Sequence, residues 1–203
     1  RATLGAWLDL YQIHSATAES GALGDAGLLA ALVDGRRRGW YRAIGLTLTG
    51  PTSAQTLQQA LAATAGGERV FDVVQATFNL LEPSLAPALA AAHAAGLGVI
   101  VKEAHANGRL TPANDRPEDR AWFAPLSELA HAHSLTIDQL ALAFVAACPW
   151  VDCVLSGAAT VAQLTSHVAA IGRAVPPALL PRLPELAETP ASYWRTRASL
   201  PWS

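Results

Sequence analysis

The sequence predicts an α/β fold, a (β/α)8 TIM barrel present here as about its last five β/α units, and three observations carry that reading. Five short apolar runs alternate with Ala/Leu-rich segments of helical spacing, and strand and helix in strict succession imply a parallel sheet. Each run is continuous rather than alternating, as expected of strands buried on both faces. The polar residues of the runs gather at their C-terminal ends, where a barrel of this kind places its chemistry. No Gly-x-Gly-x-x-Gly follows any run, so the dinucleotide fingerprint of the doubly wound alternative is missing.

The first run, Trp7 to His14, ends on a histidine, and the helix after it covers Gly27 to Asp34. Arg36, Arg37 and Arg38 then read as a solvated helix end. The second run, Arg42 to Thr47, leads into a helix over Ser53 to Ala65. The third, Phe71 to Phe78, has Gln75 to Asn79 near its exit; its helix, Leu85 to Ala95, stops at Gly96 in the place of a C-terminal glycine cap. The fourth, Gly98 to Glu103, ends on Lys102, the one lysine of the chain. Gly108, Pro112 and Pro117 make Asn107 to Arg120 a loop. Helices follow at Pro125 to His133 and at Ile137 to Ala147, the second opened by Thr136. The fifth run is Val151 to Ser156. Six prolines between Pro176 and Ser203 forbid one long helix there. Residues 1–203 therefore read as a single partial barrel domain, with 176–203 as a C-terminal tail that wraps it and tucks in Trp194 and Trp202.

Hydrophobic residues make up 51% of the 203 residues and charged residues 15%, a globular composition. A net charge of -2 gives no reason to expect nucleic acid or an anionic membrane as partner. No apolar stretch has membrane length. Cys148 and Cys153, without a secretory leader, read as free buried thiols and place the protein in the cytoplasm. His131 and His133, two apart on a helix, diverge, and His93 and His105 stand on different elements, so no metal site is expected. His105 suits the mouth of the site.

Leu8-Asp9-Leu10-Tyr11-Gln12-Ile13-His14 resembles the Asp-Leu-Tyr-x-Ile-His strand of aldo-keto reductases. Arg42-Ala43-Ile44-Gly45, Val74-Gln75 with Phe78-Asn79-Leu80-Leu81, and Gly96 to Leu110 resemble further segments of that family, in its order. Gln139-Leu140-Ala141-Leu142-Ala143 is similar to its Gln-Leu-Ala-Leu-Ala helix, and Ser156-Gly157-Ala158 with Gln163-Leu164 to its last strand exit and phosphate-binding helix. The resemblance implies an NAD(P)H-dependent oxidoreductase that reduces the carbonyl of a small aldehyde or ketone.

By this resemblance the family's first three strands, with the aspartate, tyrosine and lysine of its catalytic tetrad, precede Arg1, and the absence of methionine fits a missing N-terminus. His14 is then the tetrad member present, orienting the substrate carbonyl. Thr47 and Gln75 would hold the nicotinamide amide, with Lys102 where many members stack an aromatic ring and Glu103 next to it on the cofactor; Leu48 replaces an asparagine. Ser156, Gly157, Ala158, Ala159, Thr160 and Gln163 would line the phosphate end, a helix N-terminus suited to anions. Ser166 and His167 stand in for the family's Glu-Asn pair over the adenine, and no basic residue occupies Gly157 or Gln163, so NADH is as open as NADPH. Tyr11 does not replace the missing acid, because strand alternation turns it away from His14. Little turnover is expected of these residues alone.

Two other readings stay open. Lys102, at the end of an apolar strand, would serve a Schiff-base aldolase, and the departures at Leu48, Lys102, Ser166 and His167 would suit a cofactor-binding module without catalysis. The oligomeric state is open too: five strands leave two barrel edges unpaired, and such edges pair with one another or with a second chain.

Overall fold

The computed structural model of the protein describes residues 7–200. Along them run β1 (Leu10–Ala16), α1 (Ala26–Arg37), β2 (Ala43–Leu48), α2 (Ser53–Ala62), β3 (Thr64–Ala65), β4 (Glu68–Arg69), β5 (Val73–Thr77) and α3 (Ala86–Ala94). There follow β6 (Gly98–Lys102), α4 (Arg120–Ala132), α5 (Ile137–Ala146), β7 (Cys153–Val154), α6 (Val161–Ala170), α7 (Leu183–Leu186) and α8 (Pro190–Ser199). The five strands read from the sequence form one sheet in the order β1-β2-β5-β6-β7, with β1–β2 and β2–β5 parallel. The chain divides into two compact units, Arg1–Ala76 with Leu85–Ile100, and Thr77–Ser84 with Val101–Ser203.

In the first unit β2 is buried along its length, Ile44, Leu46, Thr47 and Leu48 all shielded from water, which is why its sequence shows no alternation. α1 packs on β2 and is pinned from inside: Tyr41 Oη donates to Leu32 O at 2.8 Å, and Tyr11 stacks on the Tyr41 ring at 5.2 Å, away from His14 as strand alternation requires. Gly96, at φ 84, ends α3 as expected, its N–H donating to His93 O at 2.8 Å.

Two expectations need correction here. The helix expected to reach Ala65 stops at Ala62, and β3 and β4 form an antiparallel hairpin across Gly66 and Gly67, whose φ values of 59 and 82 are those of a two-residue hairpin turn. Arg36 is not a solvated helix end. Its guanidinium donates to Asp72 Oδ2 at 2.7 Å, Glu68 Oε2 at 3.0 Å and the carbonyls of Val70 and Arg69, tying α1 to the β4–β5 segment. Asp72 in turn accepts the N–H of Ile44 at 2.9 Å. Arg36→Ala is expected to lower stability by about 1–3 kcal/mol, read as an earlier urea midpoint, since charged hydrogen bonds to a half-buried carboxylate are lost together.

The second unit has its own apolar core, in which Leu80, Leu81, Leu110, Leu126, Leu140 and Tyr193 are buried. α5 begins at Thr136 as expected, the Gln139 side chain returning to accept the Thr136 N–H at 3.1 Å. α4 begins five residues before the expected Pro125, directly after a 3-10 turn at Pro117–Asp119, and holds the proline inside. Sequence reading starts a helix at such a proline because an interior one removes a hydrogen bond. The tail is broken as its prolines require, into a 3-10 segment (Pro177–Arg182), α7 and α8, and Trp194 packs on the core; Trp202 lies outside the described residues. Trp122 also packs on the core. Both cysteines are free but neither is buried: Cys153, on the two-residue β7, is exposed, and Cys148, just past the end of α5, is half-buried. On α6, Val161, Leu164 and Val168, followed by Ile171, make an exposed apolar row at helical spacing, Val161 being 83% accessible. No helix of the described residues is long and apolar enough to cross a membrane.

Candidate functional site

In the first unit the candidate residues stand at the C-terminal ends of neighbouring strands. His14 is exposed and lies where the regular β1–β2 pairing breaks, the register shifting between Ile13 and Ala16. Bulges of this kind re-aim side chains; Ser15 adopts φ 51, and its Oγ lies 3.0 Å from His14 Nδ1. Thr47 is buried on β2, and its Cα partner on β5 is Gln75, so both side chains share one face of the sheet. Gln12, a polar residue that sequence reading passed over, hydrogen-bonds Gln75.

In the second unit a cleft of about 900 Å³ is lined by residues 103–105, 107–109 and 111–116, with Asp138, Ser156, Gly157, Gln163, Ser166 and His167. Glu103, Ser156, Gly157, Gln163 and His167 are thus brought to one cleft, whereas Lys102, Ala158, Ala159 and Thr160 are not among its walls. His167 is buried at its floor: Nδ1 lies 2.9 Å from Ser156 Oγ, Nε2 lies 3.8 Å from Asp138 Oδ2, and its ring packs on His105 at 4.4 Å. Ser166 Oγ donates to Asp138 Oδ2 at 2.7 Å. Desolvation holds the Asp138 carboxyl up, but the nearby Thr136 hydroxyl and the hydrogen bond from Ser166 outweigh it, so the group stays below the usual carboxylate range. Desolvation, then the neighbouring His167, pushes the His105 imidazole below its ordinary value and keeps it neutral at physiological pH. Asp138 was missed in the sequence because an acidic residue in a first helical turn is ordinary.

The cleft's loop is held by a buried arginine. Arg109 donates through Nε to Asp119 Oδ2 at 2.9 Å, and through Nη2 to Asp119 Oδ1 and Glu188 Oε1, both at 2.6 Å. Asn114 Nδ2 also reaches Asp119 Oδ2 at 3.1 Å, and the Arg109 guanidinium lies over Trp122. His105 Nε2, Asn107 Oδ1 and Arg109 Nη1, all buried, have no hydrogen-bond partner. A cleft wall with unanswered donors and acceptors suits a polar ligand.

The N-terminus of α6 is capped by its own side chains. Gln163 Oε1 accepts the N–H groups of Ala159 and Thr160 at 2.9 and 3.0 Å, Thr160 Oγ1 accepts the N–H of Gln163 at 3.2 Å, and Ser156 Oγ accepts that of Ala158 at 3.2 Å. An anion there must displace Gln163 before it meets those donors.

Lys102 ends β6 half-buried; desolvation lowers its pKa first, Arg197 adds to the lowering, and Glu103 opposes it. Glu103, at φ 57, is fastened from two sides: its carboxylate accepts from Thr77 Oγ1 at 3.1 Å and from Arg197 Nη2 at 2.8 Å, and its carbonyl accepts from Asn79 Nδ2 at 2.9 Å. No cluster of three or more His, Cys, Asp or Glu suited to a metal occurs among the described residues.

The sequence model of the Aldo/keto reductase family matches residues 3–186, and the chain belongs to that family. The aldo-keto reductase AKR11C1 from Bacillus halodurans, in its holo form, matches with a TM-score of 0.70 and 19% identity over 91% of this chain and 60% of that one. Its apo form matches with 0.71 and 19% over 91% and 63%. A thermostable aldo-keto reductase, Tm1743, in complex with the inhibitor epalrestat, gives 0.68 and 22% over 89% and 60%. The chain therefore spans about three fifths of the length of these structures. The fold is the α/β barrel of the aldo-keto reductases, present over these units. A search of curated proteins found no match.

Proposed function

We propose that this chain carries the cofactor cradle and the carbonyl-orienting histidine of an NAD(P)H-dependent oxidoreductase that reduces a small aldehyde or ketone in the cytoplasm. The observation that carries the reading is the family match, joined to the pairing of Thr47 with Gln75 on neighbouring strands of one unit and, in the other, to the gathering of Ser156, Gly157, Gln163 and His167 around one cleft. A bound nicotinamide dinucleotide would supply the hydride. Thr47 and Gln75 would hold its carboxamide, and His14 would donate to the carbonyl oxygen of the substrate; the cleft of the second unit has, by itself, the polar walls that an adenosine group needs.

The proton donor is not among this chain's tyrosines. Tyr11 is stacked on Tyr41, the Tyr41 hydroxyl is engaged by Leu32 O, and Tyr193 is buried at the end of a hydrogen bond from Asn79. Burial raises the pKa of both Tyr41 and Tyr193, the wrong direction for a general acid at neutral pH. Turnover by residues 1–203 alone is expected to be negligible, while binding is expected to persist. Titration with NADH and NADPH, followed by cofactor fluorescence, tests this: saturable binding of either supports the cradle, and binding of neither defeats the reading. With Gln163 already capping α6 and no basic residue at Gly157, NADPH is not expected to bind more than about tenfold tighter than NADH.

Lys102 gives the aldolase reading its one support, a half-buried ammonium whose pKa is lowered. Borohydride reduction in the presence of an aldehyde, read by mass spectrometry, is expected to leave Lys102 unmodified; an adduct there would favour the lyase.

A further inference from the structure

Gln12 lies two residues before His14 on β1, and its Nε2 donates to Gln75 Oε1 at 3.2 Å although β2 lies between their strands. The register explains how a side chain can cross a strand. Gln12 is the Cα partner of Gly45, and Gly45 is the partner of Val73, so all three share a face with Gln75. A Cβ at position 45 would meet Gln12 Cγ at 2.9 Å, Val73 O at 3.1 Å and Leu10 Cδ1 at 3.2 Å. The glycine is the gap through which the two carboxamides meet. Gln12 Oε1 is buried and has no partner, which leaves the bond to Gln75 as the polar work of this side chain.

We propose that Gln12 is a positioning residue for the Gln75 carboxamide, acting across the gap at Gly45. A primary amide accepts through oxygen and donates through nitrogen, and a half-turn exchanges the two. With the Gln12 N–H on its oxygen, Gln75 keeps that oxygen inside and offers its NH2 outward as a donor. This rests on the reductase reading, in which Gln75 holds the nicotinamide. A donor on Gln75 is suited to the oxygen of the nicotinamide carboxamide.

The test compares the unsubstituted chain with Gln12→Leu and Gln12→Glu. In the 15N spectrum, Gln12→Leu is expected to move the Gln75 side-chain amide pair toward the position of a solvated amide. Gln12→Glu, an acceptor only, is expected to turn Gln75 over and displace the pair in its own way. Gln12→Leu is also expected to weaken NADH and NADPH by about three- to tenfold, the loss of one oriented hydrogen bond. ADP-ribose and its 2'-phosphate, which lack the nicotinamide, should bind unchanged. Unmoved Gln75 resonances, or equal losses for the dinucleotides and their nicotinamide-free fragments, would overturn the proposal. If the unsubstituted chain binds no dinucleotide, the reductase reading falls by itself, and the spectra still decide whether Gln12 sets Gln75.

Discussion

Replacing Arg109 with methionine is expected to cost about 3–5 kcal/mol, because it strands a buried carboxylate. Asp119 is only 2% exposed on its side chain, and Arg109 meets both its oxygens while also holding Glu188 from the tail. Asn114 and Arg116 remain near Asp119 in the variant, but neither replaces two charged hydrogen bonds in the plane of the carboxylate. A loss of that size should lower the melting temperature by roughly 6–20 °C in a chain of this length. The pH dependence separates this account from simple loss of packing. Desolvation raises the Asp119 pKa, but Arg109 outweighs it and holds the carboxyl below its ordinary value. A depressed carboxyl pKa contributes stability that is fully present above the unfolded-state value near 4 and is lost as pH falls through the folded-state value. The gap between Arg109→Met and the unsubstituted chain should therefore narrow in acid. A gap that stays constant from pH 7 to pH 3 would show that the ion pair is not the cause.

Tyr193→Ala is expected to cost about 3–5 kcal/mol, the usual range for emptying an aromatic site in a packed core. The residue is 1% exposed, sits among Leu81, Leu110 and Leu126, and anchors α8. Tyr193→Phe keeps the ring and removes only the partner of Asn79 Nδ2, which still donates to Glu103 O, so its cost should be near 1 kcal/mol. Release of α8 would also free Arg197 from Glu103, and limited proteolysis should cut the tail of the alanine variant long before that of the phenylalanine variant. Equal protection of the two tails would mean that the ring does not hold α8.

The sequence made the strand–helix rhythm legible because buried parallel strands leave continuous apolar runs, as β2 does from Ala43 to Leu48. It misplaced α2's end because Ala-rich residues continue to Ala65, and the Gly66-Gly67 turn signal was not weighed against them. Arg36 read as solvated since its partners Glu68 and Asp72 lie more than thirty residues away, beyond any local pattern. At the candidate site, residues carried by motif, such as His14, Thr47 and Gln75, could be named as candidates in advance. What the neighbours do to them could not: that His167 faces Ser156 and Asp138, or that Gln163 caps its own helix, depends on tertiary placement. Gln12 left one signal, an amide set between the apolar Tyr11 and Ile13 of β1.

The exposed apolar row from Val161 to Ile171 is expected to show in how the polypeptide handles in solution. Water-facing aliphatic rows promote self-association, and excluded salts strengthen that tendency. Ammonium sulfate should therefore bring the chain out of solution early and hold it tightly on a phenyl column. Glutamate at Leu164 and Val168 would make it elute sooner without touching the cleft, since neither residue belongs to its lining.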